Sequence, residues 1–171
     1  MWAKGDRAGA EALLAKLPVA TRNANEVILT RLLVRDGINL DEYLVDAPQE
    51  PLMVLTRAWD RTKHPALGYL LATRLERDQR WQSLYEVTRA LSWDGVEFPE
   101  ALFGTLKPET ERLRGVAAFA LRRWDEAEVA FVRYTDLAPT QGRKSFGQTW
   151  VDRTRHFRAH KERLKADLPR L

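Results

Sequence analysis

Between Glu109 and Pro139 the chain reads ETERLRGVAAFALRRWDEAEVAFVRYTDLAP, and no other stretch limits its fold so tightly. Leu113, Val116, Ala117 and Ala120 recur at helical spacing and form one apolar stripe. Pro108 suits the first turn of this helix, where its missing N–H is no loss. Gly115 costs about 1 kcal/mol against Ala inside a helix, so close approach of a neighbouring helix is the expected compensation. The pattern pauses at Arg122-Arg123 and restarts at Trp124-Asp125-Glu126, whose acids suit the positive end of a new helix dipole. Ala127, Ala130, Phe131 and Tyr134 carry the second stripe, and Pro139 stops it. Two amphipathic helices joined by a short turn are predicted, with Ala127 and Phe131 buried where they meet.

Periodicity extends the helical reading along the chain, to about ten helices and no strand. Ala10 and Leu14 belong to the first, which Pro18 ends. Asn23 and Glu26 make a capping box ahead of Val27, Ile28, Leu32 and Val34, and Gly37 suits the C′ position. Asn39 and Glu42 open a short helix near 40–46 that Ala47-Pro48 closes. Pro51 opens a helix with Leu52, Leu55, Ala58 and Trp59, and Pro65 opens another with Leu67, Leu70, Leu71 and Leu75. Trp81, Leu84, Tyr85 and Thr88 head a further one, ending at Ser92-Trp93-Asp94-Gly95. Pro99 starts a short helix near 98–106 with Leu102 and Phe103, halted at Lys107-Pro108.

The positions Gly115, Ala127, Phe131 and Pro139 resemble the tetratricopeptide repeat: a small residue in the first helix, Ala-x-x-x-Phe in the second, and a closing Pro. Arg123 to Ala127 is similar to that family's inter-helix turn and second-helix start. Glu111 and Ala118 depart from it, standing where the family prefers Trp and Tyr. The alternative architecture is an ordinary hairpin in a bundle without repeats. The resemblance implies an all-α chain, one domain over 1–171, of antiparallel helix-turn-helix repeats stacked into a right-handed superhelical solenoid. Small positions of second helices are then Ala10, Ala66, Ala101 and Ala127. The segments 81–91 and 109–121 are then first helices. Lys4 to Ala10 resembles the turn and second-helix start of a repeat whose first helix is missing. The expectation is an excised piece of a longer protein, and the alternative is a natural start on one capping helix.

Composition narrows the classes. With 171 residues, 44% hydrophobic and 30% charged, the chain can bury a sizeable core and is not of the disordered type. No apolar run approaches the roughly 18 residues of a transmembrane helix. Met1-Trp2-Ala3-Lys4 is not followed by an apolar h-region, so no signal peptide is expected. Cysteine is absent, which removes disulfide, zinc-finger and thiol chemistry and fits either the cytosol or a bacterial periplasm. The net charge of +4 is uneven: from Thr140 on, nine Lys or Arg face three Asp or Glu, a net of +6, leaving −2 for the rest.

That basic excess lies on a predicted C-terminal helix, 142–166. Phe146, Trp150, Phe157 and Leu164 share one face, with Arg143, Lys144, Arg155, Arg158, Lys161, Arg163 and Lys165 around it. As a cap it packs its aromatic face on the helix of Phe131 and holds its charges in water. As a binding element, Arg143, Lys144, Arg155, Arg158 and Arg163 form a basic surface for nucleic acid or another anionic polymer.

No residue set carries catalysis. His156 and His160 are four apart and share a helical face, but a third ligand is missing and Arg153, Arg155 and Arg158 repel a cation. His64 precedes Pro65 and reads as a residue at a helix start, not a base. No phosphate loop, nucleophile elbow or paired-carboxylate motif is present. Trp59, Trp81, Trp124 and Trp150 sit in or beside apolar stripes and read as core spacers. Neither a metal nor a cofactor is expected.

The family resemblance implies a non-catalytic scaffold that holds another protein or peptide in a groove lined by first helices: Gln82, Glu86 and Arg89 from one, Arg112, Val116 and Phe119 from the next. Arg112 and Arg89 would clamp carboxylates, while Val116 and Phe119 would take an apolar side chain. The competing expectations are an anionic-polymer binder using the basic helix, and a helical module of a bacterial envelope protein. Such solenoids resemble those attached to murein lytic enzymes or to exopolysaccharide export machinery.

Overall fold

The computed structural model describes residues 25–39, 51–96 and 103–167. Among them are seven helices and no strand: α1 (Asn25–Arg35), α2 (Pro51–Thr62), α3 (Pro65–Arg77), α4 (Trp81–Ala90), α5 (Phe103–Ala120), α6 (Trp124–Leu137) and α7 (Gln141–Asp167). The expected first helix with Ala10, the short helix near 40–46, and Pro99 with Ala101 lie outside the described residues.

From α2 on, each described helix packs on the next, and α3 also touches α1 and α5. Neighbours run antiparallel, as the contacts of α6 with α7 show. Tyr134 meets Phe146, Phe131 meets Trp150, Glu128 meets Arg155 and Asp125 meets Arg158, so one sequence falls as the other rises.

The turns that fold the chain back share one geometry. Gly37, as expected at a C′ position, has φ +70°. Gln79 and Arg122 take the same left-handed conformation at 54° and 59° without being glycine. After α3, the Gln79 N–H donates to Glu76 O (3.0 Å) and the Arg80 N–H to Leu75 O (2.9 Å). After α5, the Arg122 N–H donates to Phe119 O (3.0 Å) and the Arg123 N–H to Ala118 O (2.8 Å). These are the paired bonds of a Schellman ending, which satisfy the last helical carbonyls. The next residue, Trp81 or Trp124, starts a helix with no side-chain cap.

The α2–α3 turn differs. Lys63 is left-handed (52°), and His64 caps α3 just ahead of Pro65. The Ala66 N–H donates to His64 Nδ1 (3.3 Å), which leaves the neutral ring its proton on Nε2 for Asp36 Oδ2 at 2.8 Å. Asp36 also accepts from Arg35 Nε (2.7 Å), and that bond first, then His64, holds its carboxyl below the usual range despite partial burial.

The expected break at Pro108 does not occur. One helix runs from Phe103 through Pro108 to Ala120, so the helix start placed at Pro108 moves five residues upstream. Proline costs this helix one bond, to the carbonyl of Gly104, and burial offsets it. Leu106, Pro108 and Thr110 are buried, Trp93 Nε1 donates to Thr110 Oγ1 (2.9 Å), and Thr110 Oγ1 donates to Leu106 O (2.8 Å).

The core is a continuous layer through Leu29, Leu67, Leu71, Leu84, Leu113, Ala117, Ala127 and Phe131. Helices close on one another where glycine meets an aromatic ring. A Cβ at Gly115 would lie 2.7 Å from the Phe131 ring, and one at Gly68 would lie 2.6 Å from the Trp59 ring. The expected burial of Ala127 and Phe131 holds in full, both at 0% exposure.

Candidate functional site

The expected groove residues do not converge. Arg112 faces back to α3, donating Nη1 and Nη2 to the two Glu76 oxygens at 2.7 and 2.8 Å and Nε to Glu109 Oε1 at 2.5 Å. Burial alone would ease its deprotonation, but the two carboxylates outweigh that and hold the guanidinium more firmly charged than usual. Three of its five N–H donors, with both carboxylate partners, are engaged inside the fold, so the carboxylate-clamp role expected for it gives way to joining α3 to α5. Val116 is half-buried against the core, and Phe119 lies edge-on to Trp124, Trp150 and Phe157 at centroid distances of 5.0, 5.2 and 5.5 Å. Gln82 and Glu86 are exposed on α4 and bond each other at 2.7 Å.

Arg89 belongs to a third place, the bridge from α4 to α6. The buried Tyr85 donates its hydroxyl to Glu126 Oε2 at 2.5 Å and accepts from Arg123 Nη1 at 3.0 Å and from Arg89 Nη1 at 3.4 Å. Arg123 also lies over the Tyr85 ring, 4.3 Å from its centroid. The tyrosine hydroxyl first, with Arg123 adding to it, holds the Glu126 carboxyl below its ordinary value.

The C-terminal helix sets Phe146, Trp150 and Phe157 against α6 as expected, but two of these rings are only half covered. Its buried residues are Gly147, Val151 and Thr154, while Phe146 and Phe157 remain 45% and 44% exposed. Small residues let the α7 backbone come close to α6: a Cβ on Gly147 would collide with Thr135 and with Tyr134. The rings flank that seam. Trp150 stacks on Phe131 (5.2 Å, 23°), Phe157 stacks on Trp124 (5.7 Å, 17°), and Phe146 meets Tyr134 edge-on at 6.0 Å.

The basic surface is partly neutralised by its own fold. Arg155 donates to Glu128 at 2.6 Å, and Arg158 reaches Asp125 at 2.9 Å and Glu128 at 2.6 Å. Arg143 and Lys144 are exposed, and Arg163 lies in α7 with a side chain outside the described residues. His156 and His160 are exposed on the same helix, and among the described residues no three His, Cys, Asp or Glu side chains group as metal ligands.

What the fold does assemble is a groove between α5 and α6, extended by the segment after α4. Two adjoining clefts of about 300 Å³ each share Glu111, Arg114 and Arg133. One continues past Val129 to Glu126, the other past Leu137 to Ser92, Trp93 and Asp94. Arg114 fixes the floor. It donates Nη1 to Glu111 Oε1 (2.6 Å), Nη2 to Thr88 O (2.7 Å) and to Leu91 O (3.3 Å), and Nε to Thr88 O (3.1 Å), satisfying the carbonyl end of α4. Along the lip, α6 sets Val129, Arg133 and Leu137 four residues apart, hence on one stripe. Val129 is 51% and Leu137 46% exposed, and Arg133 is exposed with no side-chain hydrogen bond or ion pair among the described residues.

Sequence reasoning passed over this stripe, although a signal was present. The α6 helix carries Ala127, Val129, Ala130, Phe131, Val132, Tyr134 and Leu137, more apolar positions than one buried face holds.

No family model matches the chain, and no curated protein or solved structure matches it either. No described helix is long and apolar enough to cross a membrane.

Proposed function

We propose that the chain is a non-catalytic scaffold of stacked helical hairpins, similar to tetratricopeptide repeats, that binds a segment of another protein. Two hairpins support the repeat reading. Pro65, Gln79, Arg80 and Trp81 stand 43 residues before Pro108, Arg122, Arg123 and Trp124, and the two turns carry the same backbone bonds. This spacing pairs α3 with α4 and α5 with α6. It reverses the phase expected from the small positions, which made 65–77 a second helix and 81–91 a first.

The binding reading rests on the α5–α6 groove, where aliphatic side chains stand exposed beside an arginine engaged with no described side chain. Exposed apolar side chains gathered in a concave place are the ordinary mark of an interaction site. The rival use, binding an anionic polymer along α7, is weakened because Arg155 and Arg158 already hold carboxylates.

Selection of a displayed random-peptide library on the immobilised chain tests the reading, alongside titration with duplex DNA and polyphosphate over a range of salt. Enriched peptides that bind with little salt dependence are expected. Failure to enrich any peptide, with DNA or polyphosphate binding that falls steeply with salt, would replace the scaffold by the anionic-polymer binder.

A further inference from the structure

We infer that the α5–α6 groove takes an extended segment whose alternate residues are aliphatic, acidic and aliphatic. The inference rests on the scaffold reading and names the chemistry of its partner.

The lip of the groove sets the pattern. Val129, Arg133 and Leu137 succeed one another every four residues of α6, a step of about 6 Å along the helix axis. An extended chain sets its alternate side chains about 6.6 Å apart on one face. Over the full stripe the two spacings drift apart by only about 1 Å, within the reach of side-chain rotation. A segment lying along α6 therefore presents three same-facing side chains to the three lip residues in register. A helix with its side chains is about 10–12 Å across, a poor fit to two clefts of about 300 Å³ each. A single extended chain suits them.

Charge selects the middle residue. Arg133 lies in the wall common to both clefts, and no described carboxylate neutralises it. Of the carboxylates lining the clefts, Glu111 is held by Arg114, Glu126 by Tyr85 and Arg123, and Asp125 by Arg158, while Asp94 accepts from Ser92 at the far end of the second cleft. The charge on the stripe itself is positive, and a planar guanidinium takes a carboxylate in a two-bond geometry. The flanking Val129 and Leu137 each lie about half in water, and aliphatic side chains over them bury that surface on binding.

The test uses fluorescence polarisation of a labelled seven-residue peptide, Ser-Leu-Ser-Glu-Ser-Leu-Ser, and of its counterpart with Lys at the centre, on the full chain. The acidic peptide is expected to bind about tenfold more tightly than the lysine one. Arg133→Glu should reverse that preference, and Arg133→Gln should abolish it without reversal. Val129→Ser and Leu137→Ser should each weaken the acidic peptide several-fold. All three positions are exposed, and circular dichroism checks that the four variants keep their helix content.

Equal binding of the two peptides, binding of neither, or a preference that survives Arg133→Glu would overturn the assignment. Library-selected peptides that bind wild type and Arg133→Glu alike would remove this site and leave the scaffold standing. A library that yields no binder would remove both.

Discussion

The ring of Phe131 occupies the space that a side chain on Gly115 would need. Three of its carbons lie within 2.9 Å of the place where a Cβ at 115 would stand. The hairpin of α5 and α6 closes on this pair. Gly115→Ala improves helix propensity by about 1 kcal/mol yet must push a fully buried ring aside. Net destabilisation of about 1–3 kcal/mol is expected, read as a lower denaturant midpoint. Phe131→Ala should cost about 3–5 kcal/mol through the cavity it leaves. Combining Gly115→Ala with Phe131→Leu should cost less than the sum of the single changes, because the smaller side chain makes room.

Arg112 is the second structural prediction. Its side chain is only 19% exposed and ties Glu76 of α3 to Glu109 of its own helix. Arg112→Met should destabilise by about 1.5–3 kcal/mol, the range for hydrogen bonds to charged groups. A double-mutant cycle with Glu76→Gln should show coupling. Additive effects would mean the pair contributes little.

The bridge of Tyr85 and Glu126 predicts a pH dependence. The folded state holds the Glu126 carboxyl below its unfolded value, near 4.3 for a free glutamate. The stabilisation is therefore complete above that value and fades as pH falls through the lowered one. Thermal melts of wild type and Tyr85→Phe should differ at pH 7 and converge toward pH 3. The gap will be small, since the Glu126 side chain is half exposed. A gap that widened on acidification would contradict the assignment.

Non-glycine residues in left-handed turns give a stabilising prediction. Gln79 and Arg122 both hold positive φ at a helix C′ position. The left-handed region costs a non-glycine residue about 1–2 kcal/mol, whereas glycine adopts it freely. Against this, glycine gains freedom in the unfolded chain. Arg122→Gly should therefore raise stability by up to about 1 kcal/mol, measured as an upward shift in melting temperature.

On α7, Val151→Asp should unfold the C-terminal seam, while Phe146→Ser and Phe157→Ser should cost far less. The contrast follows from exposures of 2%, 45% and 44%. Charge reversal at Arg155 should be mildly destabilising, because it sets a second carboxylate beside Glu128.

How much of this was legible depended on which side chains set the pattern. Gly115 and Phe131 announced their meeting, since a glycine inside a helix needs a cause. On the C-terminal helix, Phe146, Trp150 and Phe157 marked the side that meets α6, but the closest approach is made by Gly147, Val151 and Thr154 one step round. Periodicity weighs hydrophobic size, and close backbone approach rewards the lack of it. Pro108 misled for a similar reason, as local propensity says nothing of the burial that carries a helix across a proline. Arg112 was recognised as a carboxylate clamp, but it clamps Glu109 three residues back and Glu76 on α3, and the second is a tertiary fact absent from local spacing. The groove residue Arg133 looked like any solvated charge until its neighbours in space were known.

The sequential packing of the helices has a consequence for how the chain acquires its structure. From α2 onward each described helix touches the helix next in sequence, and the turns from α2 to α3, α3 to α4 and α5 to α6 are a few residues long, so those pairs need no distant loop closure before they form. Chains of this kind reach their native state in microseconds to milliseconds. The hairpin closed by Gly115 and Phe131 can form early, with α7 docking on it, while more distant helices are still unpaired. Stopped-flow refolding of wild type and Phe131→Leu would show this as a slower folding limb, whereas Leu29→Ala in α1 would act mainly on unfolding.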